Sequence, residues 1–357
     1  MFNKTLFSIL LCVGSSMLIT ACEKQEPANA LDKAVAPMNN FRLVYSKNHN
    51  ITIGTIENNQ ISKEIELTNS GTDWKPSWSK TGNKIVFFRY VSGGNPYPPT
   101  DPSDIANFKT KIVVINADGS GLKELTSGNY GDFNATWTRD GSNRIVFLRL
   151  SSKNPEKWDT YITSPNAKPG EETLVGLDDK NLAGFSTLKS GTVGFTGYGS
   201  VYLLKGHPLI PTNWKQAKVS PALPDEVFLS IFSFSPDEKK ILYTADFVAF
   251  KGTYDGMQIN GDNKVWDHKF SVLYLADFDA QSGQITNPKI ISPKTRFDYR
   301  DGYPRWTPDG RKVIFHSSMG GNYQLYLYDV ESGSKPVLIS PDNKSQYAFP
   351  CTENTPA

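Results

Sequence analysis

The feature that most constrains the fold is a repeat that recurs along the chain. Each copy has an aromatic residue, then Ser or Thr, then a short polar turn, then a run of β-branched and aromatic residues. The clearest copies cover residues 76–88, 135–147, 233–243 and 304–315. This pattern predicts a strand, a tight turn and a second strand that pairs with the first.

A second pair of predicted strands follows three of these copies. The pairs cover residues 111–119 with 122–126, 271–277 with 289–292, and 324–330 with 336–340. A fainter copy at residues 185–195, followed by a strand at residues 200–204, supplies a further unit. Four antiparallel strands in each unit are typical of one blade of a β-propeller.

The two ends of the repeat region predict how the ring closes. Residues 41–69 contain three strands without a preceding first strand, whereas residues 347–352 look like an isolated first strand. If the C-terminal strand completes the first blade, no sheet edge is left exposed at the junction. The sequence therefore predicts an all-β, six-bladed propeller of four-stranded antiparallel blades over residues 41–357. Cys351 is aligned with the repeat's Trp, and we expect it to be a small buried hydrophobic residue.

The repeat resembles that of the TolB-like β-propeller family, in which Trp-Ser-Pro-Asp-Gly precedes an apolar strand. Residues 306–310, Trp-Thr-Pro-Asp-Gly, and the later residues 317–326 match it best. The resemblance implies a propeller over nearly all of residues 41–357. It says little about activity, because one fold supports many functions. Periplasmic TolB has an additional N-terminal domain and is not lipidated, so the resemblance concerns the propeller alone.

The first 22 residues have the layout of a secretory signal peptide. An early Lys4 precedes an apolar run over residues 6–19, which is short for a transmembrane span. Residues 19–22, Ile-Thr-Ala-Cys, resemble the bacterial lipobox, which implies that residues 1–21 are removed and that Cys22 carries lipid. The alternative is an ordinary cleaved signal with a coincidental Cys.

The resemblance to lipoproteins also predicts a location. Glu23 stands where an Asp favours retention in the inner membrane, so we expect a lipid-anchored lipoprotein of the bacterial cell envelope, in the outer membrane and facing the periplasm. Residues 22–40 have no strand periodicity and contain two Pro, which indicates a flexible tether. Once Cys12 is removed and Cys22 modified, only Cys351 remains, and no intramolecular disulfide can form.

Two predicted loops are much longer than the others and are candidates for a binding surface. They cover residues 90–109 and 247–269, in blades that face each other across the channel of a six-bladed ring. Aromatic residues and Met are common at recognition surfaces, and long loops on a rigid scaffold often carry function. The candidate binding rim consists of Tyr97, Phe108, Tyr254, Met257 and Trp266. The alternative is that these side chains pack the loops onto the propeller.

A second candidate is an acidic ring of Asp73, Asp132 and Asp301. Each lies five residues before the Trp of its repeat, so the repeat brings the three carboxylates towards one face. Such a ring could attract a cation or a basic partner. The alternative is that each Asp accepts hydrogen bonds from backbone N–H groups at the start of its strand.

Charge and motif content argue against several functional classes. With 38 Lys and Arg against 36 Asp and Glu, the net charge of +2 gives no electrostatic reason to expect nucleic acid as a partner. No G-x-S-x-G, P-loop or H-E-x-x-H motif occurs. The only clustered candidates for a metal or acid–base site are Asp262, Asp267 and His268, and we expect no metal or cofactor.

These observations favour a lipid-anchored scaffold that binds an envelope protein or polymer and has no catalytic role. The alternative is a carbohydrate-active propeller. Oligogalacturonate lyases have similar repeats and act on acidic glycans at the channel mouth with His and a metal, so the resemblance allows this reading. The small number of His residues, four in the whole chain, argues against it.

Overall fold

The structure is a computed structural model. It describes residues 40–91, 108–138, 141–150, 158–175, 182–188, 193–197, 200–204, 214–220, 222–223, 227–247, 251–254, 257–260, 271–292 and 300–353. The predicted signal, Cys22 and nearly all of the tether lie outside these residues. Within them the chain is built from strands, and none forms a helix that could cross a membrane.

The described residues begin with an antiparallel meander and continue with three four-stranded sheets. The first meander consists of β1 (Asn40–Lys47), β2 (Asn50–Glu57) and β3 (Gln60–Glu66). The second sheet consists of β4 (Asp73–Trp78), β5 (Lys84–Tyr90), β6 (Thr110–Asn116) and β7 (Lys123–Glu124). The third consists of β8 (Asp132–Trp137), β9 (Ile145–Leu150), β10 (Trp158–Thr163) and β11 (Thr173–Val175). The fourth consists of β12 (Leu182–Thr187), β13 (Val193–Gly197), β14 (Ser200–Leu204) and β15 (Trp214–Gln216).

The remaining strands form two sheets and complete the first. The fifth region contains β16 (Lys218–Ser220), β17 (Val227–Phe234), β18 (Lys240–Phe247), β19 (Lys251–Tyr254), β20 (Met257–Asn260), β21 (Ser271–Asp279) and β22 (Gln284–Ile290). The sixth sheet contains β23 (Asp301–Trp306), β24 (Lys312–Gly320), β25 (Asn322–Asp329) and β26 (Val337–Leu338). The last strand, β27 (Tyr347–Thr352), pairs antiparallel with β1, so the first sheet has the order β27-β1-β2-β3.

The fold is a β-propeller of small antiparallel sheets, as the sequence predicts. The sequence predicts six four-stranded blades. Five of the described sheets have four strands, and the sheet that comes fifth along the chain has five strands, in the order β16-β22-β21-β18-β17. The additional strand β16 pairs in parallel with β22, because the outer edge of that sheet offers unpaired backbone groups to the preceding segment. Strands β19 and β20 form a separate hairpin between β18 and β21.

The Trp residues of the repeat are buried, and two of them hydrogen bond to the sheet before their own. The indole N–H of Trp137 donates to the Ser77 carbonyl at 3.1 Å, and that of Trp306 donates to the Ser233 carbonyl at 3.1 Å. Each of these bonds joins the first strands of adjacent sheets. The repeat therefore sets the spacing of the first strands around the axis, in addition to the apolar area that it buries.

The alignment of Cys351 with the repeat's Trp is wrong by one residue. Cys351 pairs with Val44 as Ser77 pairs with Val86, while Thr352 pairs with Leu43 as Trp78 pairs with Ile85. Thr352 therefore occupies the Trp position. The expected burial of Cys351 is nevertheless observed, because its side chain packs among the apolar residues between the first and second sheets.

Candidate functional site

The predicted binding rim is only partly covered by the described residues. Tyr97 and Trp266 lie outside them, and Tyr254 pairs with Met257 at the end of the hairpin formed by β19 and β20. Phe108 does not lie on a rim. Its ring is buried, with edge-on contacts to Tyr90 at 5.5 Å and Phe133 at 6.0 Å between ring centroids. Phe108 thus packs between the second and third sheets.

Two carboxylates of the predicted acidic ring are buried in ion pairs. Asp73 accepts from the Arg89 guanidinium at 2.6 and 2.9 Å, and Asp132 accepts from Arg149 at 2.6 and 3.0 Å. Each Arg is the cross-strand partner of its Asp. Both Asp side chains are fully buried, so neither can reach a partner in solution. Each accepts from an Arg guanidinium, and Asp132 also accepts from the Thr126 hydroxyl, whereas the alternative prediction expected backbone N–H donors.

The pair in the third sheet extends into a larger cluster. Arg149 also donates to Glu172 at 2.7 Å, and its guanidinium lies between the rings of Tyr130 and Tyr161, at 4.4 and 4.5 Å from their centroids. Burial lowers the Arg149 pKa, but the bonds to Asp132 and Glu172 outweigh burial and leave the pKa above its ordinary value. With two carboxylates and two ring faces around it, Arg149 fixes β8, β9 and the segment before β11 to one another.

Asp301 differs from the other two because its sheet lacks the Arg. Its cross-strand partner is Ser317, and neither carboxyl oxygen has a well-formed hydrogen bond to a described residue. The side chain is 1% exposed. Burial raises the pKa of Asp301 to about 6, and the nearby hydroxyl groups of Ser292 and Ser317 offset that rise only in part. Asp301 is therefore an uncompensated buried acid.

Asp301 should make the protein less stable as the pH rises. Its pKa in the folded state is above the unfolded value, so the folded state holds the extra proton, and stability is lost between about pH 4 and pH 6. A difference of about 2 pKa units corresponds to about 3 kcal/mol. We expect Asp301→Asn to remove this component, so that urea unfolding shows a variant more stable than the parent at pH 8 and not at pH 4.

A matched control is Asp73→Asn, which removes the partner of Arg89 and should destabilise the protein at pH 8. Equal differences from the parent at both pH values for Asp301→Asn would contradict the assignment of a raised pKa to this residue.

The most unusual site lies where the first strands of five sheets converge on the axis. Each of these strands has a β-bulge, where the register shifts. It lies two or three residues before the Trp position in β4, β8, β23 and β27, and three or four residues before Phe234, the repeat aromatic of β17. At the bulges of β4, β8, β23 and β27 the backbone is left-handed, with φ between 50° and 55°. We call the side chains three residues before the Trp position the channel ring: Lys75, Asn134, Ile231, Tyr303 and Phe349.

The channel ring lines a small cavity that opens to solvent. In three of the sheets the residue before the Trp also lines the cavity and contributes a second tier, which consists of Ser77, Thr136 and Arg305. The hydroxyl groups of Ser77 and Thr136 lie 3.2 Å apart and hydrogen bond. Polar groups from separate sheets thus meet in one cavity on the axis, as is common for ligand sites in folded proteins.

Lys75 is the central charged group of this cavity. Its ammonium donates to the Asn134 side-chain carbonyl at 2.8 Å and lies over the rings of Tyr303 and Phe349, at 4.7 and 5.5 Å from their centroids. Burial, together with the positive charge of Arg305, lowers the pKa of Lys75 to about 7. Among the described residues, Lys75 forms no ion pair with a carboxylate.

Behind the ring, aromatic side chains hold Tyr303 and Phe349 in place. Their rings meet edge to face at 4.6 Å, and His316 contacts both, while Tyr323 stacks on His316 at 4.5 Å. Burial and then the charges of Lys75 and Arg305 lower the pKa of His316 to about 3. His316 is therefore neutral, and its Nδ1 accepts from the Phe349 amide at 3.3 Å.

The sequence contains a signal for this site at a different position of the repeat from the Asp residues. Counting back three residues from the aromatic of each repeat, in place of five, returns Lys75, Asn134, Ile231 and Tyr303 directly. Phe349 needs the corrected alignment of β27. In the described part of the chain, no group of three His, Cys, Asp or Glu side chains is arranged to hold a metal ion.

Comparison with solved structures finds the same fold in several proteins. TolB from Acinetobacter baumannii matches with a TM-score of 0.59 and 13% identity, over 88% of this chain and 66% of that chain. Kuenenia stuttgartiensis hydrazine synthase matches with a TM-score of 0.62 and 11% identity, over 90% of this chain and 48% of that chain. A putative TolB from Agrobacterium tumefaciens matches with a TM-score of 0.51 and 11% identity, over 90% of this chain and all of that chain.

These likenesses establish the fold, a TolB-like β-propeller, and identities of 11–13% extend no further than the fold. The chain spans just under two thirds of the Acinetobacter TolB chain and about half of the hydrazine synthase chain. No family model matches the sequence, and neither does any curated protein.

Proposed function

We propose that this chain is a lipid-anchored propeller of the bacterial cell envelope, that it binds an envelope protein or polymer at its central channel, and that it has no catalytic role. The single observation that carries the binding role is the cavity lined by the channel ring. It combines a lysine without a carboxylate partner among the described residues with two aromatic rings on a rigid set of strands. Rigid aromatic and cationic groups are typical of recognition sites.

The position of this cavity supports binding in preference to a structural role. Groups that only stabilise a fold are usually paired, as Asp73 with Arg89 and Asp132 with Arg149 are here. Lys75 is only partly exposed and costs stability where it stands, because its charge is held away from water and from any described carboxylate. Perturbed groups of this kind are concentrated at functional sites.

A photo-crosslinking experiment tests the binding role. Tyr303→p-benzoylphenylalanine places a reactive aromatic group in the channel ring with little change in shape. Leu338→p-benzoylphenylalanine is the matched control, because Leu338 is 42% exposed on the outer strand β26. Irradiated cells should give an adduct with an envelope component from the channel variant and not from the control. Channel variants that are folded yet give no adduct would contradict the proposed function.

The lipid anchor makes a separate prediction about Cys22. Several acyl chains on one Cys bind a membrane far more firmly than one chain, since each buried CH₂ contributes about 0.8 kcal/mol. Cys22→Ser should therefore move the protein from the membrane fraction to the soluble fraction and abolish labelling with radioactive palmitate. Cys351→Ser should change neither result, because that thiol is buried in the propeller. Membrane association that survives Cys22→Ser would contradict the anchor.

A further inference from the structure

The channel cavity contains more positive charge than the described residues neutralise. Lys75 and Arg305 both line it, and the positive charge of Arg305 adds to burial in lowering the pKa of Lys75. The Arg305 guanidinium donates to the carbonyl of its neighbour Pro304 at 2.9 Å. Neither residue forms an ion pair with a carboxylate of the described chain. Two positive charges close together in a cavity are costly without a negative group to pair with them. The arrangement therefore indicates that a ligand, and not the protein, supplies that negative group.

The carboxylates on the strands that carry Lys75, Asn134 and Tyr303 are paired with other groups or buried. Asp73 and Asp132, which precede Lys75 and Asn134 by two residues, are occupied by Arg89 and Arg149. Asp301 is buried, and the groups that act on it are Ser292 and Ser317. His316, behind Tyr303 and Phe349, is neutral. The titratable groups that face Lys75 are thus Arg305, Tyr303 and His316, none of which carries a negative charge at neutral pH.

The Lys75 ammonium can donate further hydrogen bonds to a ligand. An ammonium group has three N–H donors, and the one hydrogen bond of Lys75 to a described residue goes to Asn134. Around it, the cavity is lined by Ile231, Phe232 and Pro350 in addition to the two aromatic rings. The cavity therefore offers charge-assisted hydrogen bonds beside an apolar wall.

We propose that this cavity binds an anionic oxygen group, a carboxylate or a phosphate, on a ligand that also has an apolar portion. The anion accepts hydrogen bonds from Lys75 and Arg305, and the apolar portion packs on Ile231 and the ring of Tyr303 or Phe349. This inference rests on the proposed function, since it names the chemistry of the group that the channel would bind. An anion at this position would also favour the charged form of Lys75.

Calorimetric titration of the purified full-length protein tests the proposal with three probes of equal chain length. Hexanoate and hexyl phosphate each carry an anionic oxygen group and an apolar tail, and hexanamide is the neutral control. We expect at least one anion to bind and hexanamide to bind at least about tenfold more weakly, because a charge-assisted hydrogen bond is worth about that factor. Comparing the two anions distinguishes a carboxylate ligand from a phosphate ligand.

Variants then assign the binding to the cavity. Lys75→Met and Arg305→Met should each weaken anion binding about tenfold, Lys75→Arg should retain it, and Lys63→Met on the exposed face of β3 should leave it unchanged. Binding to the parent should also be stronger at pH 6 than at pH 8.5, and Lys75→Met should lose this difference. The thermal transition of each variant shows that it is folded.

Two results would overturn the inference: equal affinity for hexanamide and hexanoate, or anion binding that Lys75→Met and Arg305→Met leave unchanged. Failure of this inference can be distinguished from failure of the proposed function. If the anions bind as expected and Tyr303→p-benzoylphenylalanine forms no adduct, the anion site stands and the scaffold role fails. If the adduct forms and no anion binds, the scaffold role stands and the anion site fails.

Discussion

Replacing Arg149 with Met is expected to lower the free energy of unfolding by about 3–5 kcal/mol, the usual cost of removing one partner from a buried ion pair. Asp132 is fully buried, and without Arg149 its carboxylate would keep its desolvation cost and lose both guanidinium bonds. Glu172 would lose its bond from the same group. Urea unfolding at pH 7 measures the change directly.

Two further variants separate charge from packing at this position. Asp132→Asn combined with Arg149→Met removes the uncompensated charge and should recover part of the lost stability. Arg89→Met should cost less than Arg149→Met, because the Arg89 side chain is 21% exposed against 8% for Arg149. A single Arg149→Met variant within about 0.5 kcal/mol of the parent would contradict a stabilising role for this cluster.

Ending the chain after Gln346 is expected to abolish cooperative folding. The truncation removes β27, the only strand of the described chain that pairs with the open edge of β1 in the first sheet. All six residues of β27 are buried. Removing a buried aromatic side chain, such as that of Tyr347 or Phe349, lowers the free energy of unfolding by about 3–5 kcal/mol. That sum approaches or exceeds the 5–15 kcal/mol that ordinarily stabilises a folded protein.

The control for this truncation ends the chain after Glu353 and keeps β27 complete. Circular dichroism should show a cooperative thermal transition for the control and none for the chain ending at Gln346. Adding a synthetic peptide of residues 346–357 should restore part of the transition if the lost pairing is the cause. A shorter chain with the thermal midpoint of the parent would show that β27 is dispensable.

Much of the fold follows from the repeat because the repeat encodes both strands and their packing. An aromatic residue followed by a turn and an apolar run sets the register of each hairpin, and the pairing of β27 with β1 follows from the missing first strand. Strand β16 could not be predicted. Its three residues, Lys218–Ser220, have no periodicity, and their pairing depends on the free edge of β22, which only the assembled sheet defines.

The candidate site was harder to predict than the fold because sequence patterns do not show which charges are already paired. The acidic ring was predicted as a cation site. Asp73 and Asp132, however, pair with Arg89 and Arg149, which lie 16 and 17 residues further along the chain, on the facing strand. Phe108 is of a residue type that is common at recognition surfaces, yet its side chain packs inside the core. The channel ring depends on β-bulges with left-handed backbone at Lys75 and Asn134, for which neither residue type is diagnostic.

The titration of the Lys75 amine, followed by NMR on protein with isotopically labelled Lys, examines the channel site without assuming a partner. If the cavity holds an uncompensated cation that awaits an anion, the free protein will titrate at Lys75 near pH 7, and saturating hexanoate or hexyl phosphate will raise that pKa. The Lys63→Met variant provides a folded reference with one exposed Lys signal removed. A Lys75 amine that titrates near its ordinary pKa of 10.5, with or without either anion, would contradict this account of the channel.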